Sequence, residues 1–197
     1  MMQVTSFKSW REGFYGNTYF QLGWQSMIRQ VLSEGLTNED MLRGVIESVA
    51  RKVGAKASFS KVKGTYFASV DSQEGHLLDL RITEHVCEFY MECSNVNFME
   101  ILNLVGFNDL HDVLTKYEAL PARIVILKSV ASRSLYILLE GREGIPSLPN
   151  IRVIIKGNEG SATSSYCRIS KEENICDLLN DLIDLGKKLW NEFFGTC

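Results

Sequence analysis

The spacing of apolar residues changes along the chain from a helical to a strand repeat, and this change most constrains the fold. Apolar residues recur every three or four positions up to Gly54 and then alternate with polar ones. Turn residues such as Lys63-Gly64 separate the alternating segments, which predicts strands joined as an antiparallel meander. The predicted strands cover 56–62, 65–70, 76–82 and 85–93.

Helical spacing occurs before, between and after the strand segments. Two N-terminal helices are predicted, one over 18–33 and one opening at the N-cap Thr37. Two short helices are predicted over 97–104 and 108–117. The capping-box pattern Ser170-Lys171-Glu172-Glu173 opens a long amphipathic helix that runs to the region of Phe193 and should pack on the sheet.

Further strand segments lie between the short helices and the last helix, at 123–128, 135–139, 151–155 and 165–169. The predicted fold is therefore α+β, with an antiparallel sheet of about 6–8 strands. Residues 1–17 form a lead-in segment, and 18–197 form a single α+β domain.

Composition and cysteine usage restrict the classes of function. Hydrophobic residues make up 45% and charged residues 23%, and the net charge of −3 argues against a dedicated duplex-DNA or RNA binder. No apolar run approaches the length of a membrane span, and no secretory h-region follows Met1. Five scattered cysteines, an odd number, indicate reduced thiols and a cytoplasmic compartment.

The segment His85–Cys93 concentrates reactive and metal-capable side chains. Alternation places His85, Cys87, Phe89, Met91 and Cys93 on one face. Free cysteine and methionine behave as adaptable hydrophobes, so we interpret this face as core, or as the wall of a ligand pocket formed by Cys87, Phe89 and Met91.

A soft-metal site is the alternative interpretation of this strand. A two-residue loop at Thr83-Glu84 would place Leu80 opposite Cys87 and His76 opposite Met91. Together with Cys93, those two residues could bind copper(I). The core interpretation is favoured because the facing strand is mostly apolar, so no metal is predicted.

Catalytic and cofactor motifs are missing from the sequence. It contains neither a G-x-S-x-G elbow, nor a Walker A loop, nor G-x-G-x-x-G. No catalytic residue is therefore assigned, and a non-enzymatic function is favoured. Leu110-His111-Asp112 followed by Arg142-Glu143-Gly144 resembles fragments of the haem-nitric-oxide-binding domain. The tyrosine and serine of that family's Tyr-x-Ser-x-Arg motif are not at the matching positions, and no cofactor is predicted.

Three functional hypotheses follow. The first is a non-enzymatic, self-associating protein-binding module, because aromatic residues that suit interfaces concentrate near the termini. The second is a carrier or sensor for a small apolar ligand. The third is binding of single-stranded nucleic acid or an acidic partner through the basic, aromatic segment 51–67, although lysines also protect exposed sheet edges. The interface aromatics of the first hypothesis are Trp10, Phe14, Tyr15, Trp190 and Phe193.

Overall fold

All eight strands of the structure form one antiparallel sheet in sequence order. The structure is a computed structural model that describes residues 27–34, 39–93, 98–141, 150–164 and 172–195. The sheet order is β1-β2-β3-β4-β5-β6-β7-β8, and a long C-terminal helix packs on it, so the predicted α+β meander is confirmed. The predicted lead-in 1–17 lies outside the described residues.

Within the described residues, the predicted elements agree with the observed ones to within a few residues, apart from the last strand, whereas residues 18–26 of the predicted first helix and the predicted N-cap Thr37 lie outside them. The described helices are α1 (Met27–Glu34), α2 (Glu39–Lys52), α3 (Phe98–Leu104), α4 (Asn108–Lys116) and α5 (Glu172–Phe194). The strands are β1 (Lys56–Val62), β2 (Thr65–Ser72), β3 (Gly75–Ile82), β4 (Val86–Glu92), β5 (Arg123–Ser129), β6 (Ser134–Glu140), β7 (Ile151–Lys156) and β8 (Glu159–Ser164).

The described helices contact one face of the sheet, which we call the inner face. Helix α2 packs on β1 and β2, while α5 crosses β6, β7 and β8. Phe107, which connects α3 to α4, packs its ring 5.6 Å from the ring centre of Phe89 on β4. The inner-face side chains of β3 to β7 alternate along each strand and are almost completely buried. No helix in the described part of the chain is long and apolar enough to cross a membrane.

Lys128 is a buried cation that joins the sheet to α1. Its Nζ donates hydrogen bonds of 2.8 Å to the backbone carbonyls of Leu32 and Ser33, and it lies 5.3 Å from the ring centre of Phe194. Those carbonyls belong to the last turn of α1, where no intrahelical donor remains. Burial lowers the pKa of Lys128, opposed by the neighbouring Cys87.

The predicted pairing of β3 with β4 is wrong by two residues. Ile82 pairs with Cys87 and Leu80 with Phe89, because the connection is a four-residue turn rather than a two-residue loop. The backbone N–H of Thr83 donates to the carbonyl of Val86, and the Thr83 hydroxyl accepts hydrogen bonds from two further N–H groups. His85 consequently lies exposed in the turn and not on the strand.

The last predicted strand is also misplaced. Strand β8 covers Glu159–Ser164, in the segment between the predicted strands 151–155 and 165–169, and residues 165–169 lie outside the described part. Only Gly157 and Asn158 separate β7 from β8, and Gly157 takes the positive φ of 61° that such tight hairpins require. Because β8 is an edge strand of small polar residues, it carries no apolar alternation to detect.

Two helical glycines should respond to alanine with opposite signs. A Cβ at Gly186 on α5 would lie 2.7 Å from Ile155 on β7, whereas a Cβ at Gly44 on α2 would meet nothing within 4 Å. We expect Gly186→Ala to lower the free energy of unfolding by about 1–3 kcal/mol through overpacking. Gly44→Ala should raise it by about 0.5–1 kcal/mol through helix propensity.

Urea unfolding of the two variants beside the unmodified chain measures both effects. Stabilisation by Gly186→Ala would show that α5 does not approach β7 this closely.

Candidate binding face on the sheet

The side chains that point away from the described helices form a second face, which we call the outer face. On β5 these side chains belong to Arg123, Val125, Leu127 and Ser129, and alternation sets the equivalent positions on the other strands. No described helix packs on this face. The polarity and charge of its side chains therefore determine what kind of molecule the sheet can bind.

Half-buried apolar side chains occupy the middle of the outer face. Register places them side by side in two rows across neighbouring strands. Val125 is only 8% exposed, although it points away from the inner face. We call this group the apolar centre; it consists of Tyr90, Val125, Leu127, Tyr136, Leu138 and Ile154.

A bulge brings His76 to the margin of the outer face. Val70 pairs with Leu78, but Asp71 pairs with His76, so one extra residue is accommodated in β3. This extra residue reverses the alternation, and His76 points to the face opposite the one that the sequence predicted. There its Nδ1 lies 2.7 Å from Asp71 Oδ1, and its Nε2 lies 2.9 Å from Asp79 Oδ2. Nε2 is shielded from solvent and makes no hydrogen bond, so its contact with Asp79 is an ion pair when the imidazole is protonated.

Arg123 organises a second polar group beside this histidine. Its Nε donates to Glu92 Oε1 and its Nη1 to Glu140 Oε2, each over 3.2 Å. Tyr90 also donates its hydroxyl to Glu92. Burial and the adjacent Glu92 raise the pKa of Tyr90 to about 12. Burial alone would raise the pKa of Glu92, but the hydrogen bonds from Tyr90 and Arg123 outweigh it and lower that pKa.

A depression of about 350 Å³ lies on the half of the outer face formed by β1 to β4. Its charged groups are Asp79, Arg81 and Glu88, and the Arg81–Glu88 pair is long, at 3.8 Å. The rings of Phe67 and Tyr90 also line it, and Phe67 is 41% exposed. Hydroxyl groups of Ser58, Ser60 and Ser69 complete the lining. Carboxylates beside aromatic rings suit a cationic group.

The residues predicted to line a ligand pocket are packed into the core. Cys87 is 2% exposed, and Phe89 and Met91 have no exposed surface. Burial raises the pKa of the Cys87 thiol, opposed by Lys128, so the thiol is a poor nucleophile near neutral pH. Ligand binding by these three residues stays a prediction, and the depression described above lies on the other side of the sheet.

The predicted interface aromatics fall into two groups. Trp10, Phe14 and Tyr15 lie outside the described residues. Trp190 is half-buried and donates its Nε1–H to the carbonyl of Arg133 over 2.8 Å, while Phe193 is 3% exposed. The structure thus gives Trp190 and Phe193 contacts within their own chain, and their part in an interface stays a prediction.

The basic segment 51–67 divides its aromatic residues between the two faces. Phe59 is covered by the guanidinium of Arg43 and Tyr66 by the ammonium of Lys61, each 4.6 Å from the ring centre. Phe67 lines the depression on the outer face. The rings therefore do not form one free stacking surface, and nucleic-acid binding remains an untested prediction.

The proposed soft-metal ligands do not converge. Met91 and Cys93 are fully buried, whereas the bulge turns His76 to the outer face. In the described ranges, no group of three or more histidine, cysteine, aspartate or glutamate side chains could hold a metal ion. The helical His111 is half-buried and lies 3.2 Å from its neighbour Asp112.

Comparison of the chain with protein-family models, curated proteins and solved structures gave no match. The site is therefore interpreted from its own geometry.

Sequence reasoning missed the outer face, although one signal was present. The cores of β5, β6 and β7 are nearly continuous apolar runs, which is typical of strands buried on both faces. By contrast, β3 and β4 alternate apolar residues with charged ones. The position of His76 had no such signal, because a bulge of one residue leaves no clear mark in a single sequence.

The pairing of His76 predicts a pH-dependent contribution to stability. Burial alone would lower its pKa, but Asp71 and Asp79 outweigh this and raise it above the ordinary value of 6.5. A raised pKa in the folded state stabilises the fold below pH 6.5, and this contribution is lost as pH rises through the folded-state pKa. Because these groups are partly exposed, we expect an effect within about 1 kcal/mol.

The comparison variant is His76→Gln. The unfolding free energies of the two chains should differ most just below pH 6.5 and converge at higher pH, and an NMR titration should place the pKa of His76 above 6.5. A pKa at or below that value would contradict the observed pairing.

Proposed function

We propose that this chain is a non-enzymatic protein-binding module that self-associates through the outer face of its sheet. The apolar centre is the observation that carries this proposal. Its rows, Tyr90–Val125–Leu138 and Leu127–Tyr136–Ile154, are contiguous across neighbouring strands. No described helix covers them.

The free energy for association would come from burying the apolar centre. Each Å² of apolar surface removed from water contributes about 25 cal/mol, and aromatic residues such as Tyr90 and Tyr136 are enriched among the residues that dominate binding. The continuous apolar runs of β5 to β7 support the same conclusion. A strand that is buried on one face only usually alternates apolar with polar residues, whereas a continuous apolar run is typical of a strand buried on both faces.

The surroundings of the apolar centre have the composition of an interface margin. Charged residues lie around it, with His76, Glu92 and Arg123 at one margin and Arg152 and Lys156 on β7. Protein interfaces commonly combine an apolar middle with a polar rim. The arrangement therefore favours a protein surface as the partner.

The polar groups of the outer face are better suited to binding than to catalysis. His76 is paired with two aspartates, and Arg123 is paired with two glutamates. A pKa of about 12 keeps the Tyr90 hydroxyl protonated, so it is not an acid–base group near neutral pH. These contacts support a recognition role.

Sedimentation equilibrium of the purified chain tests self-association. Over a wide range of protein concentration, we expect the average molar mass to rise from 22.3 kDa towards twice that value. A molar mass that stays at 22.3 kDa up to the highest soluble concentration would refute self-association.

A further inference from the structure

The charges of the outer face are unequal on the two sides of β5. The half formed by β3 and β4 carries the carboxylates of Asp79 and Glu88, which line the depression together with the single cation Arg81. The other half carries Arg152 and Lys156 on β7, together with Glu140 on β6 and Glu159 on β8, which pair across the strands with Arg123 and Lys156. Arg152 is the cation of this half whose cross-strand neighbours, Leu138 and Thr163, carry no charge.

The strand register places the complementary charges in one row. Asp79 pairs with Tyr90, Tyr90 with Val125, Val125 with Leu138, and Leu138 with Arg152. Asp79 is thus two strands before Val125 and Arg152 is two strands after it. At about 4.8 Å between strands, each lies about 10 Å from Val125.

We propose that two copies of the chain associate face to face about a two-fold axis that runs along β5, so that Arg152 of each copy enters the depression of the other. This inference rests on the proposed function and names its partner. A rotation about that axis sets Asp79 opposite Arg152 of the partner subunit, and by symmetry this contact occurs twice in the dimer. The outer residues of β5 then lie along the axis, so that Arg123, Val125, Leu127 and Ser129 each face their own copy. Arg123 does so together with the carboxylates of Glu92 and Glu140 that neutralise it.

The depression has the chemistry of a socket for arginine. Asp79 Oδ2 lies 2.9 Å from His76 Nε2, and a guanidinium can form a further charge-assisted hydrogen bond with this carboxylate and stack on a ring such as Tyr90. The side chain of Arg152 is available on the same face: it is exposed and lies 5.8 Å from the ring centre of Tyr136. Aligned sheets stack about 10 Å apart, a separation that long side chains on both surfaces can bridge.

The outer face is large enough for a stable dimer. Eight strands about 4.8 Å apart and about seven residues long, at about 3.3 Å per residue, span roughly 800 Å². A standard interface takes about 800 Å² from each partner. A second copy also supplies the apolar surface that the apolar centre needs, which a short basic peptide would supply only in part.

Charge reversal at the two positions tests the arrangement by association of the variants. Asp79→Arg leaves two arginines facing each other in its homodimer, and Arg152→Asp leaves two aspartates facing each other. We expect each variant alone to associate at least about 100-fold more weakly than the unmodified chain. In an equimolar mixture both contacts pair arginine with aspartate, and association should return to within about tenfold of the original.

Lys156→Asp is the matched control, because it reverses a charge on the same strand and face without facing Asp79. Mixed with Asp79→Arg, it should not restore association. Circular dichroism and urea unfolding establish that each variant is folded, and the mixture separates loss of pairing from a general defect.

Two results would overturn the inference while leaving the proposed function in place. In the first, the unmodified chain dimerises, and at least one of the two charge-reversed variants dimerises with the same affinity. The other is a pair of weakened variants that do not recover on mixing, which would mean that another geometry or another cationic partner meets this face. An unmodified chain that is monomeric throughout would instead refute the proposed self-association itself.

Discussion

Replacing Phe89 by alanine is expected to lower the free energy of unfolding by about 3–5 kcal/mol. The ring has no exposed surface, lies at the centre of the sheet and packs against Phe107. Truncation removes its buried area and leaves a cavity that the surrounding strands cannot fill. Urea unfolding followed by circular dichroism measures the loss, which is a large share of the roughly 5–15 kcal/mol typical of a domain.

The control for Phe89→Ala is Leu120→Ala, since Leu120 is 56% exposed. This change should alter the free energy of unfolding by no more than about 0.5 kcal/mol. The comparison also separates core from ligand pocket. If Phe89→Ala cost less than about 1 kcal/mol and removed a small molecule seen by native mass spectrometry, Phe89 would line a ligand site.

Replacing Leu127 by glutamate is expected to weaken self-association by at least about 100-fold. Leu127 lies in the apolar centre, with Glu88 and Tyr136 as its cross-strand neighbours. In the proposed dimer it faces its own copy, so the substitution would bring two like charges together in a desolvated contact. Sedimentation equilibrium gives the dissociation constant.

The variant must remain folded for this result to be informative. Because Leu127 is half-buried on a face that no described helix covers, we expect the circular dichroism spectrum to be unchanged. Leu120→Glu introduces the same charge outside the outer face and should leave the dissociation constant unaltered. Equal association of Leu127→Glu and the unmodified chain would exclude the apolar centre from the interface.

Much of the fold could be predicted because the periodic pattern of apolar residues reports one-sided burial. The alternation in β2, β3 and β4 located those strands almost to the residue, since their inner positions are apolar and their outer positions are mainly polar. The same reasoning failed for β8, whose residues Glu159–Ser164 lie at an edge and bury little. Glycine inside a helix ordinarily lowers its stability, so sequence alone does not explain Gly186, which allows α5 to approach Ile155.

The candidate site could be predicted only in part. The burial of Cys87, Phe89 and Met91 followed from alternation. The pairing of Ile82 with Cys87 depends on a turn held by hydrogen bonds to Thr83, which could not be predicted from the sequence. The row that joins Asp79 to Arg152 depends on four successive strand pairings. An error of two residues in any one of them would separate these charges, so only the folded register brings them into line.

Photo-crosslinking tests most directly whether the outer face binds a second copy of the chain. A photoreactive benzoylphenylalanine replaces Tyr136 in the apolar centre, and in a separate variant it replaces Leu120, outside that face. We predict that irradiation yields a covalent dimer of twice 22.3 kDa from the Tyr136 variant and little from the Leu120 variant. No dimer from the Tyr136 variant, or equal yields from both positions, would contradict the account.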